Sequence, residues 1–166
     1  MIKDIRIGTG FDVHALVSDR PLVLGGVTIP WSRGLAGHSD ADVLLHAICD
    51  ACLGALGQGD IGRHFPPGDP AYRNIDSRIL LRNVAEMLGN DDYVVSNLDC
   101  TVIAEQPRLS PYIEQMESNV SEDLGIEPGR VNIKATTTEG LGLTGREEGI
   151  AAQASVLIAR SESRAG

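Results

Sequence analysis

A chain of 166 residues, 42% of them hydrophobic, is long enough to close one core as one domain without disulfides. Its net charge is −9, from 14 basic and 23 acidic residues with no basic cluster, which speaks against a nucleic-acid partner. No apolar run approaches the roughly 20 residues that span a bilayer, which speaks against a membrane one.

The opening Met1-Ile2-Lys3-Asp4 lacks the apolar stretch of a signal peptide, and the three cysteines, Cys49, Cys52 and Cys100, suit a reducing compartment. The expected location is therefore cytoplasmic. Residues 4–14 alternate apolar and polar and read as a first strand, in which Gly8 and Gly10 mark either a bulge or a place where something packs against the backbone. Residues 22–29 read as a hairpin about Gly25-Gly26, ended by Pro30. Residues 34–42 form a loop running into a helix, with Ser39 as its cap and Asp42 at the third helical position. Leu45, Ile48, Cys52 and Leu56 give that helix its apolar stripe. Cys49-x-x-Cys52 falls inside it without a turn residue and reads as core packing.

Residues 59–70 carry three prolines and three glycines and predict a shaped loop. A second helix is predicted over 77–88, stopped by Gly89, and a long strand over 93–104 whose Leu98, Cys100 and Val102 share one face. Ser110-Pro111 opens a third helix with Ile113, Met116, Val120 and Leu124 inward and Gly125 at its end. Strands over 131–136 and 150–159 complete the chain. The expectation is an α+β fold: a mixed four-stranded sheet with helices on one face plus a small hairpin, one domain over 1–160 and a tail over 161–166.

Three of the four histidines, His14, His38 and His46, stand next to carboxylates at close spacing. Asp12 and His14, two apart on a strand, leave by the same face. A helix that returns His46 over that strand end would complete an Asp/His/His set suited to zinc, with a fourth position open. The competing reading is a surface carboxylate and a strand-end histidine. Asp42, one turn before His46, either orients the ring or caps the helix. His38 and Ser39 sit where free N–H groups and the positive end of a helix would meet an anion. His64 reads as a surface residue. The run Lys134-Ala135-Thr136-Thr137-Thr138-Glu139-Gly140 reads either as plain strand or as a strand end offering hydroxyls and N–H groups to phosphate, with a carboxylate for magnesium. The acidity of the chain fits the second option, since metals rather than lysines would neutralise the phosphates.

Taken together, Gly10-Phe11-Asp12-Val13-His14, Ala36-Gly37-His38-Ser39-Asp40-Ala41-Asp42 with His46, Gly59-Asp60-Ile61-Gly62 with Phe65-Pro66, and Lys134 to Glu139 with Gly145-Arg146 resemble the 2-C-methyl-D-erythritol 2,4-cyclodiphosphate synthase family of the non-mevalonate isoprenoid pathway. The resemblance runs from about residue 5 to 160. It implies a phosphorus–oxygen lyase that expels CMP from a cytidine diphosphate substrate. It also implies a homotrimer, with sheets packed around the trimer axis and active sites between subunits. Position by position, it implies zinc on Asp12, His14 and His46, and magnesium or manganese on Glu139. His38 and Thr137 would act on the transferred phosphorus, with Ser39 nearby. Asp60, Ile61 and Gly62 would hold the erythritol part, flanked by Phe65 and Asp69. The cytidine pocket would comprise Ala104, Pro107, Arg108, Leu109, Ser110, Thr136, Thr138 and Glu139.

Two positions depart from the family's habit: Arg108 replaces a common lysine and changes the donor geometry, and Leu143 replaces a common aromatic residue. The resemblance also implies a pocket on the trimer axis near Phe11, Arg146 and Glu148. It holds either an isoprenoid diphosphate or an Arg146–Glu148 ion pair across subunits. Two other functions compete with the cyclising lyase: a zinc-dependent phosphohydrolase on the same ligands, and a non-catalytic ring that binds nucleotide or metal.

Overall fold

The computed structural model describes residues 4–161. Residues 1–3, and all of the expected tail except Ser161, lie outside the described residues. Strands β1 (Ile5–Ser18), β4 (Arg33–Leu35), β5 (Tyr93–Ile103), β6 (Val131–Thr136) and β7 (Gly149–Arg160) build one sheet in the order β4-β1-β7-β5-β6. Only β5 and β6 run parallel, so the sheet is mixed as expected. It has five strands rather than four. The additional β4 is three residues of Arg33-Gly34-Leu35, too short to show a period-2 pattern, and pairs with the far end of β1. A separate two-stranded sheet pairs β2 (Leu22–Leu24) with β3 (Val27–Ile29), and Gly25 and Gly26 take φ of 57° and 71°, the turn that a two-residue hairpin demands.

Helices α1 (Val43–Leu56), α3 (Ser77–Asn90) and α4 (Ile113–Leu124) cover one face of the large sheet, with one-turn helices α2 (Ile61–His64) and α5 (Gly142–Gly145) in the loops. Helix α1 is the centre of the core. Eleven of its residues are buried, and a helix apolar all round has to be covered on all sides. Cys49 and Cys52 lie fully buried within it. Burial pushes the Cys49 thiol well above its ordinary range and that of Cys52 up to about 12, so the C-x-x-C pair packs rather than reacts.

Some predicted boundaries move. Helix α1 begins after Asp42, not after Ser39: Asp42 is the cap, accepting from Leu45 N–H at 3.1 Å. Gly89 does not stop α3, which runs on to Asn90. Ser110-Pro111 opens a 3₁₀ turn over Ser110–Tyr112, and α4 follows it. Gly125, at φ 65°, closes α4 as expected. The 59–70 segment is shaped by single turns, each capped by its own aspartate: Asp60 for α2, and Asp69 for the 3₁₀ turn Pro70–Tyr72.

The Asp42 carboxylate does more than cap. Its two oxygens also accept the Gly25 and Gly26 N–H groups at 3.0 and 2.7 Å, tying the hairpin turn to the start of α1. Asp42→Ala orphans three donors, two of them wholly buried, and is expected to cost about 3 kcal/mol or more. Urea unfolding checks this. A midpoint within error of the parent would show that the tie carries no stability.

The alternation along β1 has an unusual sense. Gly8 and Gly10 are buried against α1, and Asp12 and His14 follow on that same face. The apolar members Ile5, Ile7, Phe11 and Val13 point the other way and stay exposed, Ile7 at 71% and Phe11 at 61%.

Candidate metal centre and the surrounding site

The two glycines decide how the site is assembled. A Cβ on Gly8 would lie 1.9 Å from the Ala51 carbonyl oxygen, and one on Gly10 1.9 Å from that of Ala47. Helix α1 therefore rests directly on the backbone of β1, so the choice between a bulge and a close approach resolves to the approach. The contact delivers His46, next to Ala47, to the strand's Asp12 and His14.

The three side chains converge. Asp12 Oδ2 lies 2.8 Å from His14 Nε2 and 3.2 Å from His46 Nδ1, and the two ring nitrogens are 3.2 Å apart. Their ligand atoms form the one such metal-competent group among the described residues. His14 Nδ1 lies 2.7 Å from the Ala36 carbonyl oxygen, which can only accept, so Nδ1 carries the proton and Nε2 presents a lone pair. Lone pairs facing one another at these distances need a cation between them, a proton or a metal. The electrostatics agree. Burial pushes the Asp12 carboxyl up, but the hydrogen bonds and charges of His14 and His46 outweigh it and hold it well below the usual carboxylate range. Burial lowers His14, but the Asp12 bond and charge, then the Ala36 carbonyl and Asp42, leave it above the usual imidazole range. The residues fit a divalent ion with one carboxylate and two imidazoles.

His46 Nε2 faces Ser77 Oγ at 2.9 Å and Ser39 Oγ at 3.2 Å. Asp42, directed at the hairpin turn and the helix start, is the cap and not the orienting partner. At the helix start Asp42 takes the Leu45 N–H, so the end of α1 beside His38 and Ser39 already carries one of the chain's own carboxylates. Arg20 instead holds that loop, donating to the Gly37 and Ser39 carbonyls at 2.9 and 2.8 Å. His38 Nε2 donates to the Asp69 carbonyl at 3.0 Å, linking the loop to the 65–72 segment.

Beside the triad lies a cavity of about 240 Å³ lined by Asp12, His14, His38, Ser39, His46, Ile61, Gly62 and Phe65. Sequence reading missed Asp50, Tyr72, Ile75 and Leu80, which also line it. Asp50 follows His46 by one helical turn and accepts the Ile61 N–H at 2.7 Å, fixing the start of α2, and burial raises its carboxyl. Its i+4 spacing from His46 was the available signal. Tyr72 holds Phe65 edge-on, with ring centroids 5.5 Å apart. Asp60 and Asp69 are not among the lining side chains and act as caps. His64 is half-buried, its Nε2 2.8 Å from the Gln58 carbonyl, rather than a free surface residue.

A second, separate cavity of about 460 Å³ is lined by Ala104, Pro107, Arg108, Leu109, Ser110, Thr136 and Thr137. Thr138, Glu139, Leu143 and Arg146 line neither, and one chain does not bring Thr137 into the cavity of His38. Glu105, which sequence reading did not single out, accepts from Thr138 N–H and Gly140 N–H at 2.9 and 3.2 Å and so fixes the loop that carries Glu139. Arg108 donates to Ser110 Oγ, and Arg146 pairs with Glu148 within the chain at 3.0 Å.

Residues 5–159 match the model of the YgbB family. A 2-C-methyl-D-erythritol 2,4-cyclodiphosphate synthase of a Geobacillus species is 61% identical over 153 residues, 92% of this chain and 97% of that one. Among solved structures, the bifunctional IspDF of Campylobacter jejuni superposes with a TM-score of 0.93 at 41% identity over 97% of this chain, which spans 44% of that longer protein. The CDP complex of Plasmodium falciparum IspF superposes with a TM-score of 0.85 at 33% identity, over 98% of this chain and all of the other.

Proposed function

The chain belongs to the YgbB family, and from that membership and the convergent triad we propose how its residues perform the family's cyclisation. The enzyme is a phosphorus–oxygen lyase of isoprenoid precursor biosynthesis. It converts 4-diphosphocytidyl-2-C-methyl-D-erythritol 2-phosphate to 2-C-methyl-D-erythritol 2,4-cyclodiphosphate plus CMP. The 2-phosphate oxygen forms a bond to the β-phosphorus as the bond to the CMP oxygen breaks, so no water and no protein nucleophile is consumed. A phosphate is already nucleophilic at neutral pH. The protein's task is to position the two ends and neutralise charge, which is worth several orders of magnitude when the geometry is held.

Asp12, His14 and His46 would hold zinc, and Glu139 magnesium or manganese. When bound, these ions supply the positive charge that an acidic chain lacks. Glu139 takes a left-handed backbone at φ 53°, which costs a residue with a Cβ about 1 kcal/mol and is stabilised by Glu105. His38 and Thr137 would stabilise charge on the transferred phosphorus. Ser39 would steady the phosphate, and Ile61, Gly62 and Phe65 would enclose the erythritol part, with Asp60 and Asp69 holding that loop in shape. Ala104, Pro107, Arg108, Leu109, Ser110, Thr136 and Thr138 would enclose the cytidine.

The exposed Ile5, Ile7, Phe11 and Val13 support a homotrimer in which this uncovered sheet face packs against other copies and the second cavity of one chain joins the first of its neighbour. The Arg146–Glu148 pair, already made within one chain, favours a structural role over binding of an isoprenoid diphosphate on the axis. Among the described residues no helix is long and apolar enough to cross a membrane, and a cytoplasmic location fits the reading.

The observation that carries this reading is the Asp12/His14/His46 convergence beside an open cavity. Purified protein incubated with the cytidine diphosphate substrate and magnesium, followed by phosphorus NMR, tests it. The expected products are CMP and a cyclic diphosphate; inorganic phosphate would mean hydrolysis instead.

A further inference from the structure

The hydrogen bonds behind His46 set the direction in which its ring can bind. Asp40 lies in the loop before α1 and Ser77 is the first residue of α3; neither reaches the metal ligand atoms. Ser77 Oγ lies 2.5 Å from Asp40 Oδ1, and Ser77 N–H donates to Asp40 Oδ2 at 3.0 Å. A carboxylate only accepts, so the single Ser77 hydroxyl proton is committed to Asp40. Toward His46 Nε2, at 2.9 Å, Ser77 Oγ then has only lone pairs to offer. The proton in that contact must come from the ring, which puts it on Nε2 and leaves Nδ1 bare toward Asp12 and His14. Ser39 fits the same accounting. Its Oγ accepts from Ala41 N–H at 3.1 Å and lies 3.2 Å from Nε2, which leaves its own proton to be donated into the cavity.

We propose that Asp40 and Ser77 are positioning residues of the metal centre, forming a carboxylate–hydroxyl–imidazole chain that locks His46 in the tautomer whose Nδ1 binds zinc. The inference rests on the zinc reading of the Asp12/His14/His46 site. The chain is the counterpart, for His46, of what the Ala36 carbonyl does for His14. It also joins α3 to the loop over the site, so that the ligand ring is fixed from a second helix as well as its own.

Removing an outer hydrogen-bond partner of a ligating histidine costs ~10–100-fold in metal affinity. Ser77→Ala is therefore expected to weaken zinc binding, measured by chelator competition, by ~10–100-fold. Asp40→Asn is expected to weaken it at least as much, because an amide leaves at least one of the three donors that Asp40 now accepts without a partner, whichever way it is turned. If Asp40 acts on the metal through the Ser77 hydroxyl, the double variant binds zinc no more weakly than Asp40→Asn alone.

Nitrogen-15 NMR of the metal-stripped proteins at pH 8 reads the ring directly. The parent should show Nε2–H at His46, and Ser77→Ala a mixture of tautomers. A structural anchor would lower the melting temperature without moving this signal. Additive losses in the cycle, or an unchanged tautomer in Ser77→Ala, overturn the proposal. A parent protein that fails to bind zinc would instead remove the zinc reading, and the NMR comparison would still decide whether the chain sets the ring.

Discussion

His46→Ala is expected to lose zinc on dialysis and to lower CMP release by ~10³-fold or more, since a metal acting on a phosphoryl group is worth several kcal/mol of transition-state stabilisation. The ring supplies one of three ligand atoms and links the strand pair Asp12 and His14 to the core helix. Removing it leaves a carboxylate and one imidazole, too few to hold zinc at an open site. The fold should survive, because the ring sits among the polar side chains of Asp12, His14, Ser39 and Ser77 rather than in the apolar core. Full turnover in a zinc-free His46→Ala protein would sink the metal reading. The same centre predicts a pH dependence. Zinc competes with the proton on His14, and Asp12 holds that proton to a higher pH than a free imidazole would. Zinc affinity measured by competition should therefore begin to fall, as pH is lowered, above the ordinary imidazole range. An onset at or below that range would mean that the Asp12 contact does not govern the ligand.

The sequence made the ligands legible because ligand spacing is local. Asp12 and His14 share a face by the period of a strand alone, and His46 is one turn into a helix whose apolar stripe is unmistakable. The same period marks an apolar stripe at Ile5, Ile7, Phe11 and Val13 but does not say which side is the core. Here the two glycines take the core side, where sequence habit would put the large residues. Asp42 is ambiguous between cap and orienting group because its carboxylate can turn either to the N–H three residues on or to the ring four residues on. Its choice depends on the hairpin turn 16 residues away. Ser77 and Asp40 were illegible for a related reason. Their link spans 37 residues of sequence, and neither residue type is unusual where it stands.

Gly10→Ala should couple stability to catalysis more strongly than any other single methyl in this chain. The added Cβ meets the Ala47 carbonyl oxygen at 1.9 Å and the Ala51 nitrogen at 2.9 Å, and both are helix backbone that no rotamer change can move aside. The oxygen stands roughly 1.5 Å inside ordinary contact, so α1 must lift or slide along β1 as a body. Overpacking of this kind costs about 3 kcal/mol at the upper end of its usual range, which lowers the melting temperature of a chain this size by ~6–12 °C. Gly8→Ala meets an equivalent clash one turn further along the helix, at Ala51, and should cost as much. The two variants part at the metal. Gly10 lies against the residue after His46, so Gly10→Ala moves the ring away from Asp12 and His14. A displacement near 1 Å at a reacting centre costs ~10²-fold in rate. Gly8→Ala pivots the helix nearer its C-terminal end and should retain more zinc affinity. Melting curves and chelator competition on the pair give the comparison. Parental stability and zinc affinity in Gly10→Ala would show that the bare strand backbone is not what seats the helix. A loss of stability with zinc affinity intact would place the control of the ring elsewhere, in the bonds that reach it from Ser77 and Ser39.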